Sequence, residues 1–240
     1  MFRRFSREIW KSLGESADEG AKYLKGLFLE SVRGFKPLFY LDVGAGLGYN
    51  SLVFGEDASK ILAVDLRFPE NNVLKNVDKV HMVVADARFL PFRDGVLDVV
   101  SLFSVIEHVP DQRRSLVDAM RVLKPGGYLV IQIPNKFFPI ELHSGLPFVF
   151  LVPFRVRSAI FKKVGHEGLG RINIPSLRKL KETILQIEHG CKIRVRKVVY
   201  PSVVVWSKLR FFYKVAFKTG FLKAIPLGYL LIVKKGLCPL

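Results

Sequence analysis

Five short apolar runs occupy the middle of the chain, at 39–43, 60–64, 80–85, 97–103 and 128–133. They are rich in Val, Ile and Leu and show little polar alternation, the pattern of strands buried on both faces in a parallel sheet. Helical patterns lie between them. The clearest covers 111–123, where Leu116, Ala119, Met120 and Leu123 share one face. The following Lys124-Pro125-Gly126-Gly127 reads as a helix end and a turn. Strand alternating with helix points to a doubly wound α/β sheet.

The flanks extend this plan. Residues 6–33 read as helix, with Ile9, Leu13, Ala17, Ala21, Leu24 and Phe28 at steps of three and four, interrupted by Gly14, Gly20 and Gly26. Ser176 is placed to cap a helix carrying Leu177, Leu180, Ile184 and Ile187, which ends before Gly190. A strand over 191–200, a helix over 206–223 and a last strand over 229–233 complete the pattern. Segment 134–173 follows neither period and is rich in proline and glycine. The expected organisation is an N-terminal helical extension, 1–36, and one domain, 37–240, with 134–173 inserted over the substrate side of the sheet.

Composition excludes several classes. Half of the 240 residues are hydrophobic and 25% are charged, which excludes a disordered chain. Cys191 and Cys238 form no CxxC pair, so a disulfide scaffold or cysteine zinc site is not expected, and a reducing cytosol fits. The start, MFRRFSREIW, lacks the apolar core of a signal peptide. The longest uncharged apolar stretch, 142–154, is too short to cross a bilayer. His81, His166 and His189 are scattered, so no metal site is expected. The anticipated location is cytoplasmic.

Charge is unevenly spread. The net value is +17, yet residues 41–135 hold 10 basic and 12 acidic side chains, while 136–240 hold 20 and 4. Such a field attracts anionic partners: nucleic acid, an acidic lipid surface or a phosphorylated substrate. A basic solvated face without a partner satisfies the same counts. On a helical wheel, 206–223 has an apolar stripe through Leu209, Phe212 and Ala216, a basic stripe of Arg210, Lys214 and Lys218, and spare Phe211, Val215 and Leu222. Phe148, Phe150 and Phe154 likewise lie near Arg155, Arg157, Lys162 and Lys163. Aromatics beside basic residues suit peripheral attachment to an anionic membrane, here at its inner face. RNA binding by the same charge is the rival.

The chemistry concentrates at the first strand and its turn, Leu41-Asp42-Val43-Gly44-Ala45-Gly46-Leu47-Gly48-Tyr49-Asn50. Glycines at a strand's carboxyl end let backbone approach a ligand closely, and the N–H groups of the next helix can hold its polar groups. The spacing is GxGxG, not the GxGxxG of dinucleotide-binding dehydrogenases, so a dehydrogenase is disfavoured. Asp65 ends the second strand, 17 residues after Gly48. Its carboxylate can accept hydrogen bonds from two ribose hydroxyls.

In several motifs in order, the chain resembles the class I S-adenosylmethionine-dependent methyltransferases. LDVGAGLGYN resembles the first motif, AVDL (63–66) the second, VVADARFLPFRDGVLDVVSLFSVIEHVPD (83–111) the third and fourth, and LKPGGYLVIQIPN (123–135) the fifth-strand block. The resemblance implies a Rossmann-like seven-stranded sheet with an antiparallel last strand, and S-adenosylmethionine as cofactor. The implied cofactor residues are Asp42, Gly44, Ala45, Gly46 and Gly48 in the turn, with Asp65 as ribose acid and Leu66 beside it. Asp86 would contact adenine and Ala87 line its pocket. Phe103 and Ser104 would flank the methionine end, with His108 in the loop after them.

The methyl group sits on an activated sulfonium, so alignment of the acceptor is the main task. A general base is needed only if the acceptor loses a proton as it attacks. Glu141 and His143, two apart in the insertion, are the candidate pair, His143 as base and Glu141 orienting it. A loop-packing role is the plainer reading for both, and for Glu107 and His108. The PNxxxPxExH run resembles uncharacterised methyltransferases of glycan or lipid-linked pathways. The expected activity is methyl transfer to a small-molecule or lipid-linked acceptor. An RNA methyltransferase and a non-catalytic cofactor- or partner-binding domain are the alternatives.

Overall fold

The computed structural model describes residues 18–32, 34, 36–139, 146, 148–163, 172–199 and 225–237. The described residues form a seven-stranded sheet of order β3-β2-β1-β4-β5-β7-β6. Its strands are β1 (Phe39–Val43), β2 (Lys60–Asp65), β3 (Val80–Val84), β4 (Leu97–Phe103), β5 (Leu123–Pro134), β6 (Lys192–Val198) and β7 (Gly228–Lys234). β1 to β5 are parallel. β7 inserts antiparallel between β5 and β6, as the family resemblance implied. The parallel strands all end at one edge, where open α/β sheets bind ligands.

Helices cover both faces. On one face lie helix α1 (18–31) and α2 (Tyr49–Phe54). Leu24, Phe28 and Phe54 pack there on Tyr40, Val99, Val130 and Ile232. On the other lie α3 (Gln112–Val122) and, late in the chain, α5 (Leu177–Ile187). Leu116, Met120, Leu180 and Ile184 cover Leu41, Val100, Leu102, Leu129 and Ile131 on that side. Burial on both faces explains why the central strands show so little alternation; the edge strands β3 and β6 are more exposed. The predicted Ser176 cap forms, accepting from the Lys179 N–H at 3.2 Å, and Asp111 caps α3 in the same way, accepting from the Arg114 N–H at 2.9 Å.

Two expectations need correction. No free turn separates α3 from the next strand. Leu123 already has extended backbone and pairs with Leu97, and a register shift absorbs Lys124–Gly127 before Tyr128 pairs with Val99. Segment 134–173 is also not wholly irregular: it contains α4 (Phe154–Lys163). The buried residues of α4 are Arg157 and Phe161, whereas Phe154 and Val156 are exposed, so its apolar pattern gives no normal amphipathic signal. The helix anticipated over 206–223 lies outside the described residues.

The loop between β3 and β4 is held by an ion-pair hub. Asp118 on α3 accepts from the Leu90 N–H and pairs with Arg121. Arg121 also pairs with Asp94 and donates to the Phe92 and Leu90 carbonyls. Asp118→Ala leaves the buried Leu90 N–H without its acceptor and Arg121 without its better-shielded partner. Urea denaturation should show a loss of about 2–4 kcal/mol. A loss under about 0.5 kcal/mol would mean the hub is not structural.

Candidate active site

The site is built on the turn after β1. The Gly44 and Ala45 N–H groups both donate to the Val64 carbonyl, at 2.7 and 3.0 Å, binding the turn to β2. Its glycines have different reasons. A Cβ on Gly44 would lie 2.3 Å from Val105, and one on Gly48 2.3 Å from Leu74, so packing excludes side chains there. Gly46 has a φ of +51° and open space where its Cβ would be. Its open face leaves the backbone accessible to a ligand.

Asp65 closes the turn from β2. Its Oδ2 accepts from the Gly46 N–H at 2.8 Å and its Oδ1 from the Arg67 N–H at 3.1 Å. Each carboxylate oxygen has a second acceptor position left for a ligand hydroxyl. Leu66 follows, exposed beside it, while Ala45 packs on Ala63 and Leu74 beneath the turn.

Asp42 has a different setting. It is 1% exposed, in the centre of the sheet. The hydroxyls of Ser51 and Ser101 each donate to one of its oxygens at 2.7 Å. Tyr40 pairs with Ser101 at 2.7 Å, and with the Ser101 proton directed to Asp42 the phenol is the donor. Burial pushes the Asp42 carboxyl up to about 6, against the two serine hydrogen bonds. Asp42 thus joins β1, β4 and the first turn of α2 beneath the glycines.

At the end of β3, Asp86 is clasped by Arg88, whose Nε and Nη2 approach its oxygens at 3.0 and 2.6 Å and whose N–H adds a third bond at 2.9 Å. Those bonds hold its carboxyl below the usual range. Ala87 lies half-buried between them. At the end of β4 the Phe103 ring packs 4.6 Å from that of Phe54. Ser104 follows with a φ of +54° and donates to the Gln132 Oε1 at 2.6 Å. His108 is exposed at the end of a short 3-10 turn, Ile106–His108. The structure therefore gathers the anticipated cofactor residues along one sheet edge, with Asp42 one layer beneath. His143 and Glu141 lie outside the described residues. Among the described residues no three His, Cys, Asp or Glu side chains are grouped to hold a metal, and no helix is long and apolar enough to cross a membrane.

Sequence reasoning did not single out Ser51, Ser101, Arg88 or Gln132. Ser101 did leave a signal, as a hydroxyl within an otherwise apolar strand. Asn135 proves to be an anchor: it is buried, and its N–H and Nδ2 donate to the Leu227 and Pro226 carbonyls, each at 2.8 Å.

Residues 41–131 match the family model of a methyltransferase domain. A probable S-adenosylmethionine-dependent methyltransferase of Mycobacterium tuberculosis is 34% identical over 99 residues, 40% of this chain and 35% of the relative. The demethylmenaquinone methyltransferase of Clavibacter sepedonicus is 36% identical over 97 residues, 38% of this chain and 39% of the relative. Over residues 41–131 the chain matches a methyltransferase domain, and its relatives there include S-adenosylmethionine-dependent methyltransferases. It matches under two fifths of the length of these two relatives. The fold is also that of a solved S-adenosylmethionine-dependent methyltransferase from Mesorhizobium loti, with a TM-score of 0.57 at 16% identity, covering 82% of this chain and 91% of the other.

The family's cofactor is S-adenosylmethionine, and the geometry fits it. The open face of Gly46 leaves room for a ligand against backbone, and Asp65 can take ribose hydroxyls. Asp86 lies one strand further along the edge.

The methyltransferase domain has a pH signature in Asp42. Its folded carboxyl titrates near 6, above the unfolded value of 3.8. Between those values the native state holds a proton that the unfolded chain has lost. Stability contributed by this group is therefore present below about pH 4, falls as pH rises to about 6 and then levels, by up to about 3 kcal/mol. Asp42→Asn should remove that slope in denaturation curves taken at pH 4.5, 5.5 and 7. An unchanged slope would assign the titration to another group.

Proposed function

We propose that the protein transfers the methyl group of S-adenosylmethionine to a small-molecule or lipid-linked acceptor, presented at the inner face of a membrane. The observation that carries methyl transfer is the open face of Gly46 beside the Asp65 carboxylate, at the edge where β1 to β4 end. The cofactor, when bound, supplies a methyl on a positively charged sulfur. Asp65 holds the ribose and keeps the Gly46 amide in place. Asp86 meets the adenine side, with Ala87 lining it. Phe103, Ser104 and His108 border the methionine end. Where the acceptor has a proton to lose, His143 takes it and Glu141 orients the imidazole.

Two observations support the nature of the acceptor. The Clavibacter relative is named for demethylmenaquinone, a small apolar acceptor. Phe137, Phe148, Leu151, Phe154 and Val156 are exposed on the inserted segment, which also carries Lys136, Arg155, Lys162 and Lys163. Apolar side chains among cations suit an anionic lipid surface.

The cofactor site is tested with two variants. Gly46→Ala should fold, its Cβ meeting open space and its left-handed φ of +51° costing about 1–2 kcal/mol, yet block the ligand's approach and lower S-adenosylmethionine affinity at least tenfold by calorimetry. Asp65→Ala removes charged hydrogen bonds worth about 1.5–3 kcal/mol each, again roughly tenfold or more. Full affinity in both would place the cofactor elsewhere. Incorporation of labelled methyl into a cell extract, with the product identified by mass, tests the reaction.

The membrane reading has its own measurement. Wild-type protein should sediment with phosphatidylglycerol vesicles more than with phosphatidylcholine vesicles. The double variant Phe137→Ser, Leu151→Ser should bind the former at least tenfold less, because each apolar side chain gains about 1.5–3 kcal/mol when fully buried. Equal sedimentation of the two proteins would remove the insertion from the membrane contact.

A further inference from the structure

Arg157 is an anomaly in the fold. It occupies the inward face of α4, next to the fully buried Phe161, and is itself only 8% exposed. Among the described residues its guanidinium has no carboxylate partner. Nη2 donates to the Ile172 carbonyl at 2.7 Å, while Nε is enclosed without an acceptor. The rings of Phe150 and Phe154 lie 5.3 and 5.5 Å from Cζ. Burial depresses the guanidinium pKa, with no opposing charge to offset it. The other buried charges described above are satisfied differently: Asp118 has Arg121, and Asp42 has two serine hydroxyls. A buried guanidinium with an unused donor needs an explanation.

The helix adds a second anomaly. Arg155 and Arg157 both lie near the N-terminus of α4, and its first turn contains no acidic residue. The N-terminal end of a helix carries partial positive charge, so cations there are unfavourable and an anion is favoured. One bound anion would answer both features.

Its place in the fold says what that anion belongs to. Ile172 precedes Asn173, whose N–H donates to the Glu107 carbonyl at 2.8 Å and whose carbonyl accepts from the Gln112 Nε2 at 2.6 Å. Arg157 is thereby tied, through one residue, to the loop after β4 that carries His108. That is the ligand-binding edge of the sheet.

We propose that Arg157 binds an oxyanion group, a carboxylate or a phosphate, on the methyl acceptor. That the ligand is the acceptor rests on the methyl-transfer reading; the anion site does not. A guanidinium offers paired N–H donors in one plane, the geometry that either oxyanion accepts. Phe150 and Phe154 receive the apolar body attached to it. The acceptor class is an amphipathic anion.

The test is calorimetric titration of the full chain with benzoate, phenyl phosphate and the neutral benzyl alcohol, at constant ionic strength. At least one anion should bind, and which of the two does so separates carboxylate from phosphate. Benzyl alcohol should bind at least tenfold more weakly. Arg157→Gln should weaken anion binding at least tenfold and leave S-adenosylhomocysteine affinity within twofold. If that variant fails to fold, Arg157→Lys decides. It keeps the charge but not the paired donors, and should lose at least fivefold. Absence of anion binding to wild type, or equal anion affinity in the deciding variant, overturns the proposal. Anion binding without S-adenosylhomocysteine binding would uphold the Arg157 site and overturn the methyl-transfer reading instead.

Discussion

The site depends on a carboxylate placed where charge is expensive. Asp42 lies at the centre of the sheet and holds Ser51 of α2 and Ser101 of β4. Those bonds fix how α2 leaves the glycine turn and how β1 and β4 sit side by side. Replacing the group by an apolar one would lessen the cost of burial and release α2. The energetic cost of Asp42 is borne for position rather than stability. Asp65 then finishes the turn from above through the Gly46 N–H. Two acids, one buried and one half-buried, thus hold the same loop from opposite sides.

Much of this was legible in the sequence because it follows from backbone demands. The central strands β1, β2 and β4 declared themselves through largely apolar runs, since both faces of the sheet are covered there, whereas β3 shows a similar run although it is a largely exposed edge strand. The glycines of the first turn declared themselves because Val105 and Leu74 leave no room for a Cβ at Gly44 and Gly48. What stayed hidden depends on pairs distant in the chain. Asp42 and Asp65 look alike as strand acids. Only the fold shows that one is enclosed by hydroxyls and the other borders open space. The Ser101 hydroxyl is 59 residues from Asp42, and no local pattern links them.

The insertion was misread for a related reason. Helices announce themselves by an apolar stripe facing the core. In α4 that stripe contains an arginine, and large apolar side chains face outward. The local rule fails where the inward face is built around a cation. Such failures are expected where a protein departs from its best packing for another purpose. The start of β5 was misread through a different conflict. Pro125, Gly126 and Gly127 read as a turn, but Leu123 pairs first and the irregularity falls inside the strand.

The charge distribution acquires a direction from these placements. Residues 41–135, which supply the cofactor edge, hold 10 basic and 12 acidic side chains, whereas 136–240 hold 20 and 4. A sulfonium cofactor is cationic at the atom that gives up its methyl group. Acids at the nucleoside side bind it without placing a further cation there, as Asp86 shows by neutralising Arg88 within the loop. An excess of cations in 136–240 favours an anionic partner and disfavours a second cation. Attack on the sulfonium removes its positive charge, so an anionic acceptor is best stabilised before transfer. A cation held apart from the sulfur, the role proposed for Arg157, can hold such an acceptor without raising the charge there. The charge asymmetry of the sequence thus accords with the anionic acceptor proposed above.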